Sequence, residues 1–417
     1  MNRKGLFVIV LSALVCAWFS SHGFSLASAG EGDDRYVPHG AAPSASTVYR
    51  VDDGKISIAG YGEAVTQGFD RKKQNGDPSG KKNAADLLRF VLYTGYRFTD
   101  KILLNSEIEF EHAKSEDNRG AVEVEFADLD FLISRPFSVR AGLMLMPMGF
   151  INEMHEPTVF YGALRPDIET NILPTTWREN GVGFFGDIGP FAYRTYLISG
   201  LQAAPAAGAP IDGFNASSGI RGGRSDGSKS LAEDVAWVGR LDLVSIPGFL
   251  FVASAYTGKS GHRITDPASG AEINGHVTLW DVHSEWGYRG LKLRGLYARG
   301  SIGDVAKINN ANGLAGNQSV GEHLWGGYVE GAYDWLPLVC PDTRQSLAYF
   351  MRYERYNTQD GVPHGFTENP ANSRSVLTYG LDYKPIEKVV VKADYQVRHD
   401  KAGTGVDQFN LALGWRF

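Results

Sequence analysis

Large apolar residues recur at every second position through most of this chain. In the last twelve residues, VDQFNLALGWRF, Phe409, Leu411, Leu413, Trp415 and Phe417 alternate with Asn410, Ala412, Gly414 and Arg416. A period of two marks a β-strand with one greasy and one wet face. Sixteen such segments follow one another from Lys55. They lie at approximately 56–69, 86–98, 102–113, 120–134, 137–148, 177–187, 190–201, 233–246, 249–258, 275–288, 291–302, 322–335, 346–357, 374–384, 388–399 and 406–417. Most reach the roughly 9–11 residues that a tilted strand needs to cross a bilayer.

The connections alternate between short and long. Tight links such as Thr99-Asp100-Lys101, Ser134-Arg135-Pro136, Ile188-Gly189, Pro247-Gly248 and Pro385-Ile386-Glu387 are separated by long ones at 70–85, 149–176, 201–232, 259–274, 303–321 and 358–373. The brief links at 114–119 and 400–405 and the ten-residue stretch 336–345 depart from this rhythm. Tight turns on one rim and long loops on the other predict an all-β fold, a transmembrane antiparallel up-and-down β-barrel of about 16 strands. An even count leaves both ends of the barrel on the short-turn rim.

Chemistry sets which face looks outward. In the second strand Leu88, Phe90, Leu92, Tyr96 and Phe98 share one parity and Arg89, Tyr93 and Arg97 the other. In the fifteenth, Val389, Val391, Ala393, Tyr395 and Val397 oppose Lys392, Asp394, Gln396 and Arg398. A basic residue on the lipid face costs about 2–4 kcal/mol at mid-bilayer, so the charged face must look into the lumen. The fourth strand breaks step. Val122, Val124 and Phe126 hold one parity while Ala127, Leu129, Phe131 and Ile133 hold the other. A β-bulge near Phe126-Ala127 would turn Glu123, Glu125, Asp128 and Asp130 inward together; a misplaced strand boundary is the alternative. Aromatic residues close many apolar rows, as interfacial girdles would.

The two ends refine the picture. Arg3 and Lys4, an apolar run from Leu6 to Phe19 and Ala27-Ser28-Ala29 read as a signal peptide over 1–29, too short to span a bilayer. It is followed by a flexible leader over 30–54 and the barrel over 55–417. Removing 1–29 takes away two positive charges, so the formal charge of −6 becomes −8. Cys340 is then the sole cysteine, which excludes an internal disulfide; it reads as a buried spectator.

A sixteen-stranded barrel is too wide for side chains to fill and leaves an aqueous channel. Its wall carries Arg89, Arg97, Arg140, Arg194, Arg240, Lys292, Arg294, Arg352, Lys392, Arg398 and Arg416. Against them stand Glu107, Glu109, Glu111, Glu123, Glu125, Asp281, Glu285, Glu354 and Asp394. Segment 149–176, GFINEMHEPTVFYGALRPDIETNILPTTW with its following Trp177, is longer than the about 12–15 residues of an ordinary loop and too greasy for disorder. It is expected to fold into the barrel and constrict it, presenting Asn152, Glu153, His155, Glu156, Arg165, Asp167, Glu169 or Arg178. A lid on the outer rim is the plainer alternative. A metal site from Glu153, His155 and Glu156 is less supported, since two of these are adjacent and no further histidine joins them. No metal or cofactor is expected.

The runs GEAVTQGFD, RFVLYTGYRF, NSEIEFEHA, VEVEFADLDF, RAGLMLMPMGFINEMHEPTVFYG and NILPTTWRENGVG resemble the family of porins O and P, the phosphate-selective type, over roughly residues 57–200. That resemblance implies a sixteen-stranded homotrimeric channel of the Gram-negative outer membrane, with the third loop folded inward. It also implies that the terminal Trp415 and Phe417 are similar to the signal read by barrel-assembly machinery. The partners it implies are outer-membrane lipid and lipopolysaccharide; nothing points to nucleic acid. The departure is the acid cluster Glu107, Glu109, Glu111, Glu123 and Glu125, since the resemblance implies that anion-selective members line the pore with many Arg and Lys residues. These acids either line the pore or pair with Arg89, Arg97 and Arg140 on flanking strands. The functional expectation is a passive diffusion channel for small hydrophilic or ionic solutes, with anions such as phosphate in question. A plugged barrel used for adhesion or wall contact is the alternative. An enzyme is the weakest, because His283 and Ser284 point to opposite faces of one strand.

Overall fold

The computed structural model describes residue 39 and residues 48–50, 55–114, 120–206, 208 and 211–417. The expected signal peptide and most of the leader lie outside the described residues. Sixteen strands form: β1 (Ile56–Phe69), β2 (Ala84–Thr99), β3 (Ile102–Glu111) and β4 (Ala121–Ser134). Then come β5 (Phe137–Leu145), β6 (Arg178–Ile188), β7 (Phe191–Ser199) and β8 (Val235–Leu243). After these run β9 (Phe249–Gly258), β10 (Val277–Tyr288), β11 (Leu291–Ile302) and β12 (His323–Asp334). The last four are β13 (Ser346–Asp360), β14 (Ser373–Ile386), β15 (Val389–Asp400) and β16 (Gln408–Arg416). Strand bounds fall within three residues of those read from the alternation.

Each strand pairs antiparallel with its sequence neighbours, and β1 pairs with β16 to close the barrel. Closure aligns Tyr61 with Arg416 and Phe69 with Gln408. Phe417 and Gly60 exchange backbone hydrogen bonds of 2.9 and 3.1 Å just beyond that ladder. The apolar rows face out: Ile58, Val329, Phe409, Leu411 and Leu413 are all exposed. Charged residues are buried in their place, among them Glu107, Asp130, Arg352 and Lys392. That inversion of the soluble-protein pattern is what a lipid-facing surface requires.

Three expectations need correction. The irregularity in β4 sits one step earlier than expected, where Glu107 faces Phe126 but Ile108 faces Val124, leaving Glu125 as the extra residue. Phe126 therefore turns inward, is buried and stacks on Tyr93 at 6.1 Å. Cys340 is exposed, because the 336–345 connection carries a single helical turn, Leu336–Val339, at the rim. The leader's last described turn, Val48–Arg50, is seated: Val48 and Tyr49 are buried beside Leu103 and Phe185. Arg97 donates to the carbonyls of Val48 and Tyr49 at 3.3 and 3.1 Å, and Arg140 donates to Tyr49 Oη at 3.0 Å.

Two glycines at the seam explain its fit. A Cβ on Gly62 would lie 2.2 Å from the Trp415 ring, and one on Gly60 would lie 2.7 Å from the Phe417 ring. The terminal aromatics thus lie over bare backbone of β1. Gly62→Leu is expected to cost about 1–3 kcal/mol by overpacking and to lower the fraction that migrates as a folded, heat-modifiable barrel on gels. Gly331→Ala, whose Cβ would meet only Leu293 Cδ2 at 3.4 Å, should leave that fraction unchanged. Equal folding of the two variants would contradict this account of the seam.

Candidate constriction inside the barrel

Segment 149–176 leaves β5 and returns to β6, and Asn152 clips its base. The Asn152 side-chain amide donates to the carbonyls of Met146 and Trp177 at 2.7 and 2.8 Å. Its oxygen accepts from Trp177 N at 2.6 Å. The first turn closes on Glu169, in the short helix α1 (Ile168–Asn171). Glu169 accepts from the backbone N–H of Phe150 and Ile151 at 2.8 and 2.7 Å and from Tyr328 Oη at 2.8 Å. Burial pushes the Glu169 carboxyl up to about 7, although the bonds from Tyr328 and Ile151 pull the other way.

The middle of the segment lies along the inward face of the wall, held by cations that grip its carbonyls. Arg240 donates to Gly149 O at 2.7 Å and Arg294 to Val159 O at 3.0 Å. Lys384 donates to Thr158 O at 2.8 Å, and Arg352 to Tyr161 O at 3.0 Å. Lys392 donates to both Phe160 O and Gly162 O, at 2.7 and 2.8 Å, with its ammonium 3.8 Å from the Phe160 ring centroid. Wall carboxylates take the N–H groups. Asp394 accepts from Ala163 N at 2.6 Å, Asp382 from Gly162 N and Glu354 from Ile168 N, both at 3.3 Å. A backbone without regular pairing needs such partners when it is taken out of bulk water.

The sequence-selected residues thus divide. Asn152 and Glu169 brace the segment itself. Glu153 reaches Arg194 and Arg240 at 3.5 and 3.6 Å, away from His155 and Glu156. Asp167 pairs with Arg398 and accepts from Tyr356 Oη at 2.8 Å. Those contacts hold its carboxyl below the ordinary carboxylate range, against the upward push of burial. Arg178, on β6, pairs with Glu123 and lies 3.5 Å from Glu125. Arg165 donates to Thr176 Oγ1 at 3.1 Å and is half-buried. His155 and Glu156 are fully buried, and His155 faces Glu107 and Glu125.

On the wall, Arg89 lies 3.5 Å from both Glu63 and Glu109, while Arg140 holds Asp130 at 2.7 Å. Arg352 bridges Glu330 and Glu354 at 3.0 and 2.9 Å. Lys292 and Arg294 share Glu285. Of the acid cluster, only Glu109 therefore pairs with one of the three arginines expected for it, since Arg97 and Arg140 turn to other partners.

Several participants had no signal in the alternation. Arg221 donates to Thr170 O at 2.9 Å and Arg224 to Pro174 O at 3.1 Å, so the 201–232 loop caps the end of 149–176. Asp382 and Lys384 were not among the wall residues read from the sequence either, although they lie in the inward parity row of β14 and that row could have shown them. Apolar loop residues Ile168, Ile172, Phe214, Ile220, Ile273 and Ile308 join inward-facing Tyr256, Leu279, Leu324 and Tyr356 in one buried cluster. His283 is buried beside Asp281 at 2.6 Å.

A closed antiparallel barrel with charges within and apolar residues without defines a porin-like outer-membrane barrel. Its structural neighbours include an outer-membrane channel and outer-membrane proteins. The outer-membrane channel DcaP of Acinetobacter baumannii superposes with a TM-score of 0.57 at 15% identity, covering 87% of this chain and 97% of that one. OmpF of Salmonella typhi gives 0.54 at 12%, covering 88% and 99%. The trimer form of OmpT from Vibrio cholerae gives 0.52 at 10%, covering 88% and 100%. At such identities the likeness is one of fold. No family model matches the chain, and membership of the porin O and P family is not shown. The chain belongs to the same family as an uncharacterized protein of Aquifex aeolicus (strain VF5), 36% identical over 393 residues, which are 92% of this chain and 85% of that protein.

Removing Lys392 tests the seating. Lys392→Met leaves two carbonyls and Asp382 without their cation, a loss of roughly 3–5 kcal/mol for a buried partner. Amide exchange at Gly162 and Ala163 should accelerate strongly while the strands stay protected. Lys292→Met, at a half-exposed pair worth about 0–1 kcal/mol, should leave both unchanged. Unaltered protection of Gly162 and Ala163 in Lys392→Met would show that the segment is held by something else.

Proposed function

We propose that this protein is an outer-membrane porin, a passive diffusion channel for small hydrophilic or ionic solutes, narrowed by segment 149–176. The observation that carries the reading is the inward charge on a closed barrel of sixteen strands. Charges on a wall of that circumference need water or one another. A homotrimer is supported by the trimer form of the OmpT neighbour.

Phosphate specificity gains no support from the wall. Arg294, Arg352 and Lys392, the cations best placed to bind an anion, already hold loop carbonyls and wall carboxylates. The reading is therefore a general small-solute channel with no phosphate preference. The plugged barrel has one observation in its favour, the buried apolar cluster that the loops form against β5 and the β7–β14 wall.

Planar-bilayer recording separates these readings. The purified protein should give ohmic steps in potassium chloride that added phosphate does not block. Deleting 154–163 should raise the step conductance severalfold. Silent bilayers would favour the plugged barrel, block by phosphate would restore anion specificity, and an unchanged step in the deletion would remove 149–176 as the constriction.

A further inference from the structure

Near the start of the inward segment, His155 leans on two glutamates from adjacent strands. Its Nε2 lies 3.1 Å from Glu107 Oε1 and 3.3 Å from Glu125 Oε2. One donor atom from each of the three residues falls within 4.8 Å of the others. All three side chains are buried, His155 and Glu107 completely.

Strand register gathers this charge. Glu107 and Glu109 share the inward parity of β3, Glu109 stands directly opposite Glu123, and the bulge adds Glu125 between Glu107 and its neighbour. Like charges opposed across strands are destabilising, and bulges commonly re-aim side chains beside functional sites. Arginines offset part of this: Arg89 sits against Glu109, and Arg178 against Glu123 and Glu125 Oε1. The Glu107 carboxylate and Glu125 Oε2 are left to His155. Glu107 Oε2 and Glu125 Oε2 are buried and accept no hydrogen bond from the protein. Arg165 and Glu156 of the same segment act on the cluster from close by with opposite signs.

The imidazole is oriented for a cation. Its Nδ1 lies 3.1 Å from the Asn152 carbonyl oxygen, which can only accept, so Nδ1 carries a proton. In the neutral ring Nε2 is then a bare lone pair facing two carboxylates, an arrangement that requires a proton or a metal ion between them. A backbone carbonyl fixing the far nitrogen is the usual support of a metal-bound histidine. Asn152 is itself clipped by Met146 and Trp177. Tyr61, Tyr93 and Phe126 supply a surrounding shell of rings.

We propose that Glu107, Glu125 and His155 form a binding site for a divalent transition-metal cation, Zn2+ fitting best, that ties segment 149–176 to the β3–β4 wall. One imidazole nitrogen and two carboxylates suit zinc, whereas calcium takes six to eight oxygens. Ligands at zinc bond lengths of about 2.0–2.1 Å stand about 3.3 Å apart around a tetrahedron, close to both spacings from Nε2. Three protein ligands leave the fourth position to water. The proposal does not depend on whether the barrel conducts.

The test uses the full-length protein folded in detergent, stripped with a chelator and titrated with Zn2+ by calorimetry and with Co2+ by visible absorption. The expected result is one equivalent per chain, with the intense d–d bands of four-coordinate cobalt. His155→Ala and Glu107→Gln should each weaken binding by at least about 10-fold, while His399→Ala at an exposed position should not. Absence of binding in the parent protein, weak six-coordinate cobalt spectra, or full affinity in both ligand variants would overturn the site and leave His155 as a protonated partner of the two glutamates. If a ligand variant fails to fold, the parent protein decides. Zn2+ should raise its unfolding temperature and slow amide exchange at 153–157, Mg2+ should do neither, and indifference to Zn2+ would overturn the proposal.

Discussion

Charge that cannot face lipid has to be satisfied inside, and the rest of this molecule follows from that constraint. Placing an Arg or Lys at mid-bilayer costs about 2–4 kcal/mol, so each strand turns its charged parity toward the axis. Once there, Arg240, Arg294, Arg352, Lys384 and Lys392 need acceptors, and Asp382, Glu354 and Asp394 need donors. Segment 149–176 supplies both from its irregular backbone, with carbonyls toward the cations and N–H groups toward the acids. The same pairing satisfies two demands at once, the charged wall and the unpaired loop backbone. It also explains why an inward loop of this length can be greasy: its apolar side chains pack among themselves and with inward-facing Tyr256, Leu279 and Leu324 while its main chain faces the charges.

One of the barrel's several register shifts falls where this seat is most acidic. The bulge in β4 is the place where the hydrophobic parity of the sequence changes step, and it is also where Glu125 joins Glu107 beneath His155. The Asn152 clip and the Glu169 brace hold the backbone around His155 through contacts on the opposite side of the loop. The far end of the segment is closed by Arg221 and Arg224, whose carbonyl bonds join the next long loop to it. Strands β3, β4, β8, β11 and β13 to β15, together with a second loop, therefore restrain one segment.

The barrel was legible because lipid imposes a strict period of two, and the rhythm of short and long connections gave its antiparallel order and rims. Strand ends and the β1–β16 closure followed from the same signal. The bulge was visible as a change of parity, but its position was not, since Phe126 is equally at home in lipid or against Tyr93. The site was legible only as a list of charges. Glu153, His155 and Glu156 are close in sequence yet diverge, two of them to partners tens of residues away, and a loop has no periodicity to reveal this. Arg221 and Arg224 were invisible for the same reason, whereas Asp382 and Lys384 stood in plain parity on β14. Cys340 misled because its apolar neighbours face outward at the rim rather than into a core.

The central claim is that 149–176 lies against the inner wall and not over the rim. Ala163 and Ala412 are buried in one small cluster with Val65, placing the middle of the segment on β16. The most direct measurement is oxidation of an Ala163→Cys, Ala412→Cys double variant in a Cys340→Ser background, in outer membranes and before any denaturation. An intramolecular disulfide should form in most of the folded barrel, seen as a mobility shift lost on reduction. A folded barrel whose two thiols remain separately alkylated would contradict it.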